Sequence, residues 1–166
     1  MKNTLKVINS LEEAGIIGKY AIGGAIGVIF YAEPTATYDL NIFCILDESE
    51  GGLINLGPLY AFLVGERGYP VEGEHIVIEG IPVQFLPPGT NLVREALENA
   101  AELQFDGVPT RVFKYEYLLA IMAETGRAKD KTRINQVLES AEPDLDLLNN
   151  ILARYDLLDK WAKIVA

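Results

Sequence analysis

The chain has 166 residues, 49% of them hydrophobic and 23% charged, with a formal net charge of −10. That balance excludes a disordered chain and suits one domain, or one domain with a helical extension. An acidic surface repels phosphate backbones and argues against general nucleic-acid binding, while a local basic patch can still accept one phosphorylated ligand.

Residues 3–14 place Leu5, Ile8 and Leu11 at helical spacing, with Gly15 as a stop. The same stretch carries acids where a secretory signal would be apolar, so it is not read as a leader. Residues 19–24 read as a short strand running into the Gly23-Gly24 turn. Residues 25–33 read as a buried helix, apolar almost all round and ended by Pro34. The apolar run over 20–32 is too short for a membrane span and is broken by three glycines.

Residues 37–46 read as a central strand. Leu40, Ile42, Cys44 and Leu46 line one face; Asp39, Asn41, Phe43 and Ile45 line the other. Cys44 is the only cysteine, so it has no internal disulfide partner and reads as a small buried side chain in a cytoplasmic protein. A loop follows over 47–52, then a helix over 53–68 with an early kink at Gly57-Pro58. Residues 74–86 form a predicted hairpin about Glu79-Gly80, in which Pro82 sits where no N–H partner is needed. An amphipathic helix over 91–103, capped by Asn91, precedes a second hairpin over 103–113 about Asp106-Gly107. Beyond that the chain reads as helices over 114–125, 127–140 and 144–165, broken at Gly126 and Pro143. The composition shift near 113 divides an α/β core, residues 1–113, from a helical portion, residues 114–166, packed on it.

Asp39 and Asn41 stand at i and i+2, so they share one face of the strand. The run 126–133 is the basic cluster of the chain, with Arg127, Lys129, Lys131 and Arg133. Lys129 and Arg133 stand one helical turn apart, as do Arg127 and Lys131. They read either as a phosphate clamp, with Lys114 and Tyr115 as weaker candidates of the same kind, or as a solvated helix start with Asp130 near its positive end. His75 is the only histidine and has no Cys or second His to pair with, which argues against a zinc site and for a surface strand position. No P-loop, dinucleotide fingerprint or Gly-x-Ser-x-Gly is present.

The order of strand, Gly23-Gly24, helix and a strand bearing Asp39-x-Asn41 resembles the nucleotidyltransferase superfamily. The segment "VPTRVFKYEYLLAIMAETGRAKDKTRI", with its Arg-x-Lys-Asp stretch, resembles in particular the AbiEii-type abortive-infection toxins. The resemblance covers roughly residues 15–160. It implies an α/β (α+β) fold: a small mixed sheet with flanking helices plus a C-terminal helical portion. It implies transfer of a nucleoside monophosphate from a nucleoside triphosphate, with Mg²⁺ held by three carboxylates. Two of these stand at i and i+2 on one strand and the third on a neighbour.

Asp39 matches the first carboxylate and is the expected metal ligand. Asn41 and Gln84 stand where the other two belong, so Asp39, Asn41 and Gln84 form the expected catalytic set. Gly23, Gly24, Arg127, Lys129 and Asp130 form the expected nucleotide-binding set. An amide adds no charge and cannot serve as a base, so the resemblance implies weak or absent transfer, or a replacement acid such as Asp47 or Glu48. The same three residues also read as a neutralised relic in which Asp39, Asn41 and Gln84 hydrogen-bond one another. A second class of reading is a non-catalytic interaction module, such as a toxin–antitoxin component with an antitoxin partner.

Overall fold

The computed structural model describes residues 1–33, 36–48 and 51–166. Pro34, the expected helix stop, lies outside them, as do Ser49 and Glu50 of the expected 47–52 loop. The chain begins with helix α1 (Lys2–Glu13), whose Leu5, Val7, Ile8 and Leu11 are buried. Strand β1 (Tyr20–Gly23) leads directly into α2 (Gly24–Ile29), followed by β2 (Leu40–Cys44). Helix α3 (Gly57–Tyr60) continues as a π-helical segment, Ala61–Glu66. Strands β3 (Val71–Glu72), β4 (His75–Ile78) and β5 (Ile81–Leu86) come next, then α4 (Asn91–Glu98) and the hairpin of β6 (Ala101–Phe105) and β7 (Val108–Val112). Four helices close the chain: α5 (Tyr115–Thr125), α6 (Ala128–Ser140), α7 (Leu145–Arg154) and α8 (Leu158–Val165).

The strands form one mixed sheet in the order β3-β4-β5-β2-β1-β7-β6. β2 pairs antiparallel with β1 and parallel with β5, and β1 pairs parallel with β7. The alternation along β2 sorts the two faces as expected. Leu40, Ile42 and Cys44 are fully buried with α1, Leu59 and Leu63, while Phe43 packs on the opposite side with Phe113 and the α4/α5 residues. Burial pushes the Cys44 thiol up to about 12, consistent with a packing role. The Arg111 guanidinium donates to both Glu12 oxygens at 2.7 and 3.1 Å and ties β7 to α1.

Both hairpins turn where expected. Glu79-Gly80 and Asp106-Gly107 have positive φ at both positions, which matches the right-handed twist of the paired strands. Pro82 is placed as expected too. Val77, its partner across β4, donates to Pro70 on the other side, so the Val77–Pro82 pair exchanges no hydrogen bonds.

Several expectations are corrected. The helix after Gly23 runs only six residues and buries only Gly27 and Val28, because its glycines lower helix propensity and its apolar side chains split between the two cores. The 53–68 helix starts at Gly57, since Pro58 fits the first turn of a helix and not its interior. Thr90, not Asn91, caps α4: its hydroxyl accepts the Val93 N–H at 3.2 Å. That helix ends at Glu98, and 101–105 pair as β6. The 144–165 helix is two, α7 and α8, separated where Asp156 takes a φ of 56°. Gly126 is a left-handed C-cap, as its position suggested. No helix among the described residues is long and apolar enough to cross a membrane.

Candidate functional site

A cleft of about 340 Å³ opens where the sheet, the start of α2 and the α5–α6 corner meet. One wall carries Gly24, Thr37, Asp39, Asn41 and Gln84; the other carries Arg127, Lys129, Asp130 and Arg133. Phe43, Phe113, Leu118 and Met122 form an apolar floor. The tertiary structure therefore brings together residues more than a hundred positions apart in the chain, and seven of the eight expected site residues line one cavity. The eighth, Gly23, ends β1 and pairs with Asn41 across β2.

Sheet register explains the first wall. Gly23 pairs with Asn41, and Asn41 pairs with Gln84. The β4/β5 register, carried one residue beyond Ile76–Val83, sets His75 opposite Gln84. Four strands thus present His75, Gln84, Asn41 and Gly23 in one lateral row, with Asp39 one pleat away. The residue just past the row must be glycine. Gly24 has a φ of 61°, and a Cβ built there would collide with the Asn41 Nδ2.

The side chains do not form the expected Asp39–Asn41–Gln84 cluster. Gln84 Nε2 donates to Glu74 Oε2 at 3.0 Å. Asn41 Oδ1 is enclosed without a hydrogen-bond partner. Asp39 faces His75 instead, with Oδ2 at 3.5 Å from Nε2. His75 is therefore half-buried behind Asp39, neither lining the cleft nor standing free at the surface. Its place was legible in the sequence: a two-residue turn at Glu79-Gly80 fixes Ile78 opposite Ile81, and counting back reaches His75 and Gln84.

The second wall is built on a buried charge. Asp130 is 1% exposed, and Arg127 donates to it twice, from Nε at 2.6 Å and from a terminal nitrogen at 3.3 Å. Arg133 approaches the same carboxylate at 4.0 Å. Arg127 thus converges with Arg133, one turn into α6, and not with Lys131. Asp130 is the counter-ion that holds two guanidinium groups beside the cleft. Lys129 is exposed at the cleft and has no ion-pair partner among the described residues. The lining holds three cationic side chains against two carboxylates, a positive balance on a chain of net charge −10. Asp47, Glu48, Lys114 and Tyr115 do not line the cleft, and the Tyr115 hydroxyl instead donates to the Ala141 carbonyl.

No protein-family model matches the sequence, and no curated protein matches it. Solved structures do match. The crystal structure of an antigenic nucleotidyltransferase-like protein from Paracoccidioides brasiliensis aligns with a TM-score of 0.57 at 14% identity, over 99% of this chain and 92% of that one. The solution structure of the antibiotic-resistance factor ANT(2'')-Ia aligns with a TM-score of 0.57 at 15% identity, over 98% and 94%. The fold is nucleotidyltransferase-like. At these identities the likeness establishes the fold and leaves activity to the residues of the cleft.

Those residues do not fit a pair of Mg²⁺ ions. A two-ion site needs several hard anionic oxygens, and this wall offers Asp39 alone, with one amide oxygen unpartnered and the other amide engaged by Glu74. Among the described residues no group of three or more His, Cys, Asp or Glu is placed to hold a metal ion.

Proposed function

We propose that this cleft binds a nucleotide by its phosphate tail, and that nucleotidyl transfer through two Mg²⁺ ions is weak or absent. The observation that carries this reading is the second wall: Arg127 and Arg133 are held beside the cleft by buried Asp130, and unpaired Lys129 stands between them in sequence. Guanidinium groups already fixed by a carboxylate lose little freedom on meeting a phosphate, and an unpaired ammonium adds a point charge. The apolar floor of Phe43, Phe113, Leu118 and Met122 suits the flat face of a base or sugar. Gly23 and Gly24 let the backbone approach the ligand at the start of α2. Asn41 and Gln84 supply orientation and no charge, which is why the reading stops at binding.

The test is calorimetric titration with each of the four nucleoside triphosphates, in Mg²⁺ and again in chelator. Binding that survives chelation and weakens at least about tenfold in Lys129→Ala supports the reading. Absence of heat with all four at millimolar ligand would sink it, and attention would pass to a protein-interaction role of the antitoxin-partner kind.

A further inference from the structure

The sheet ends at β6, and nothing in that strand protects its outer edge. Natural edge strands are commonly guarded by a proline, a lysine or a bulge. β6 has none of these, and all five of its residues pair with β7 in unbroken register. That register fixes which backbone groups are left over. The two-residue turn at Asp106-Gly107 makes Phe105 and Val108 a hydrogen-bonded pair, so Leu103–Thr110 is one as well and Gln104–Pro109 is not. Pro109, which has no N–H, suits a pair of the second kind. Further along β7 the Phe113 N–H donates to Ile22 of β1, so this set of alternate β7 residues turns away from β6. The N–H and C=O groups of Glu102 and Gln104 therefore face outward, and none has a hydrogen-bond partner among the described residues.

A cavity of about 670 Å³ adjoins this edge on the side where α1 packs, with Leu103 and Thr110 side by side in its wall. The residues lining it include three acids, Glu12, Glu13 and Glu102, against the single cation Arg111. Arg111 is already held by both oxygens of Glu12, and among the described residues neither Glu13 nor Glu102 forms an ion pair. We infer that β6 takes up a basic, extended polypeptide segment of a partner as an added strand of the sheet. The outward groups of Glu102 and Gln104 supply four main-chain hydrogen bonds, and alternate side chains select the partner. The residue set opposite Leu103 points to the α1 side, over the cavity and its acids. Its two neighbours point to the other side, on which Glu102 lies. Lysine or arginine is favoured on both sides. A second copy of this chain would bring another acidic edge and a further net charge of −10. None of the residues around this edge lines the cleft, so the inference does not depend on the nucleotide reading.

The test uses the full chain, labelled with nitrogen-15 and free of nucleotide, and a short blocked peptide of alternating lysine and valine as the probe. Amide hydrogen exchange is read residue by residue. In the free chain the Glu102 and Gln104 amides are expected to exchange faster than those of Leu103 and Phe105, which are bonded to β7. Saturating peptide is expected to slow the first two by at least about tenfold. The same peptide with glutamate in place of lysine is expected to bind at least about tenfold more weakly. Gln104→Pro removes one outward N–H and no bond to β7, and it is expected to abolish the slowing at Glu102. Glu13→Gln and Glu102→Gln are each expected to weaken binding about threefold at low salt. No slowing at millimolar peptide, or equal binding of the glutamate peptide, would overturn the inference. So would protection of both amides in the free chain together with a dimer mass in sedimentation, which would give the edge to a second copy. If Gln104→Pro fails to fold, the amide pattern of the wild-type chain decides by itself.

Discussion

Asn41 differs from an aspartate by one group, and that group decides the charge of the cleft wall. Its Oδ1 is enclosed and unpartnered, so a carboxylate fits the same space and faces Asp39 as a like charge. Asn41→Asp is expected to lower stability without metal by about 1 kcal/mol and to raise Mg²⁺ affinity by about tenfold, read by thermal melts with and without Mg²⁺. Gln84→Asp is a less clean change, because it removes the donor that Glu74 now accepts. Gly24 is the other sensitive position. Gly24→Ala puts a Cβ into the Asn41 amide and into a left-handed backbone, so a loss of about 1–3 kcal/mol is expected in denaturant unfolding. An unchanged midpoint would mean that the Asn41 side chain can move aside at no cost.

At the scale of elements, α6 is positioned by its buried acid. Asp130→Ala is expected to cost about 1–2 kcal/mol, since the two arginines it leaves are partly exposed, and to weaken nucleotide binding by freeing both forks. Stability unchanged in a melt would show that Asp130 is not the anchor of that helix start. The α4–α7 contact carries a pH dependence. Arg154 donates to both Glu95 oxygens at 2.6 and 2.8 Å and holds that carboxyl below its ordinary range, against a smaller opposing effect of burial. Burial, with the hydrogen bond to Glu95, pushes the Tyr117 hydroxyl up to about 12. A carboxylate with a depressed folded-state pKa stabilises the protein above its unfolded-state value, and the contribution is lost as pH falls through the folded one. Glu95→Gln is therefore expected to lower the stability read from thermal melts at neutral pH, by no more than about 1 kcal/mol for this part-exposed pair, with the gap closing in acid. A gap that widens in acid would contradict that sign.

On the whole-molecule scale, one apolar cluster joins the sheet to the helical tail. Ala21, Val28, Leu92, Val93 and Phe113 pack with residues of α5, α6, α7 and α8. A fragment ending at residue 113 exposes that surface. It is expected to lack the dispersed NMR spectrum of a packed core, while a native-like spectrum would show that the first 113 residues fold alone.

Much of this architecture was legible in the chain. Period-two alternation in 40–44, turn chemistry at Glu79-Gly80 and Asp106-Gly107, and the stop at Gly126 are local properties, and each stands in the structure. Element ends fared worse: Thr90 displaced Asn91 as a cap, and the helix after Gly23 is short. Such ends depend on which hydroxyl reaches a free N–H and on which core a side chain enters, and both are set by packing. The positions of Asp39, Asn41, Gln84, Lys129 and Asp130 were readable from motif order. Their partners were not. That Asp39 meets His75, that Gln84 turns to Glu74, and that Arg127 and Arg133 share Asp130 depend on side-chain directions fixed only when sheet register and the α5–α6 corner are assembled. Most of the strands and both tight turns were set locally, because backbone preference and hydrophobic period act over a few residues, while the two-residue β3 carried no such signal. Only the tertiary structure decided what charge the cleft presents, because Coulomb and hydrogen-bond energies depend on distances of a few ångströms between residues far apart in the chain.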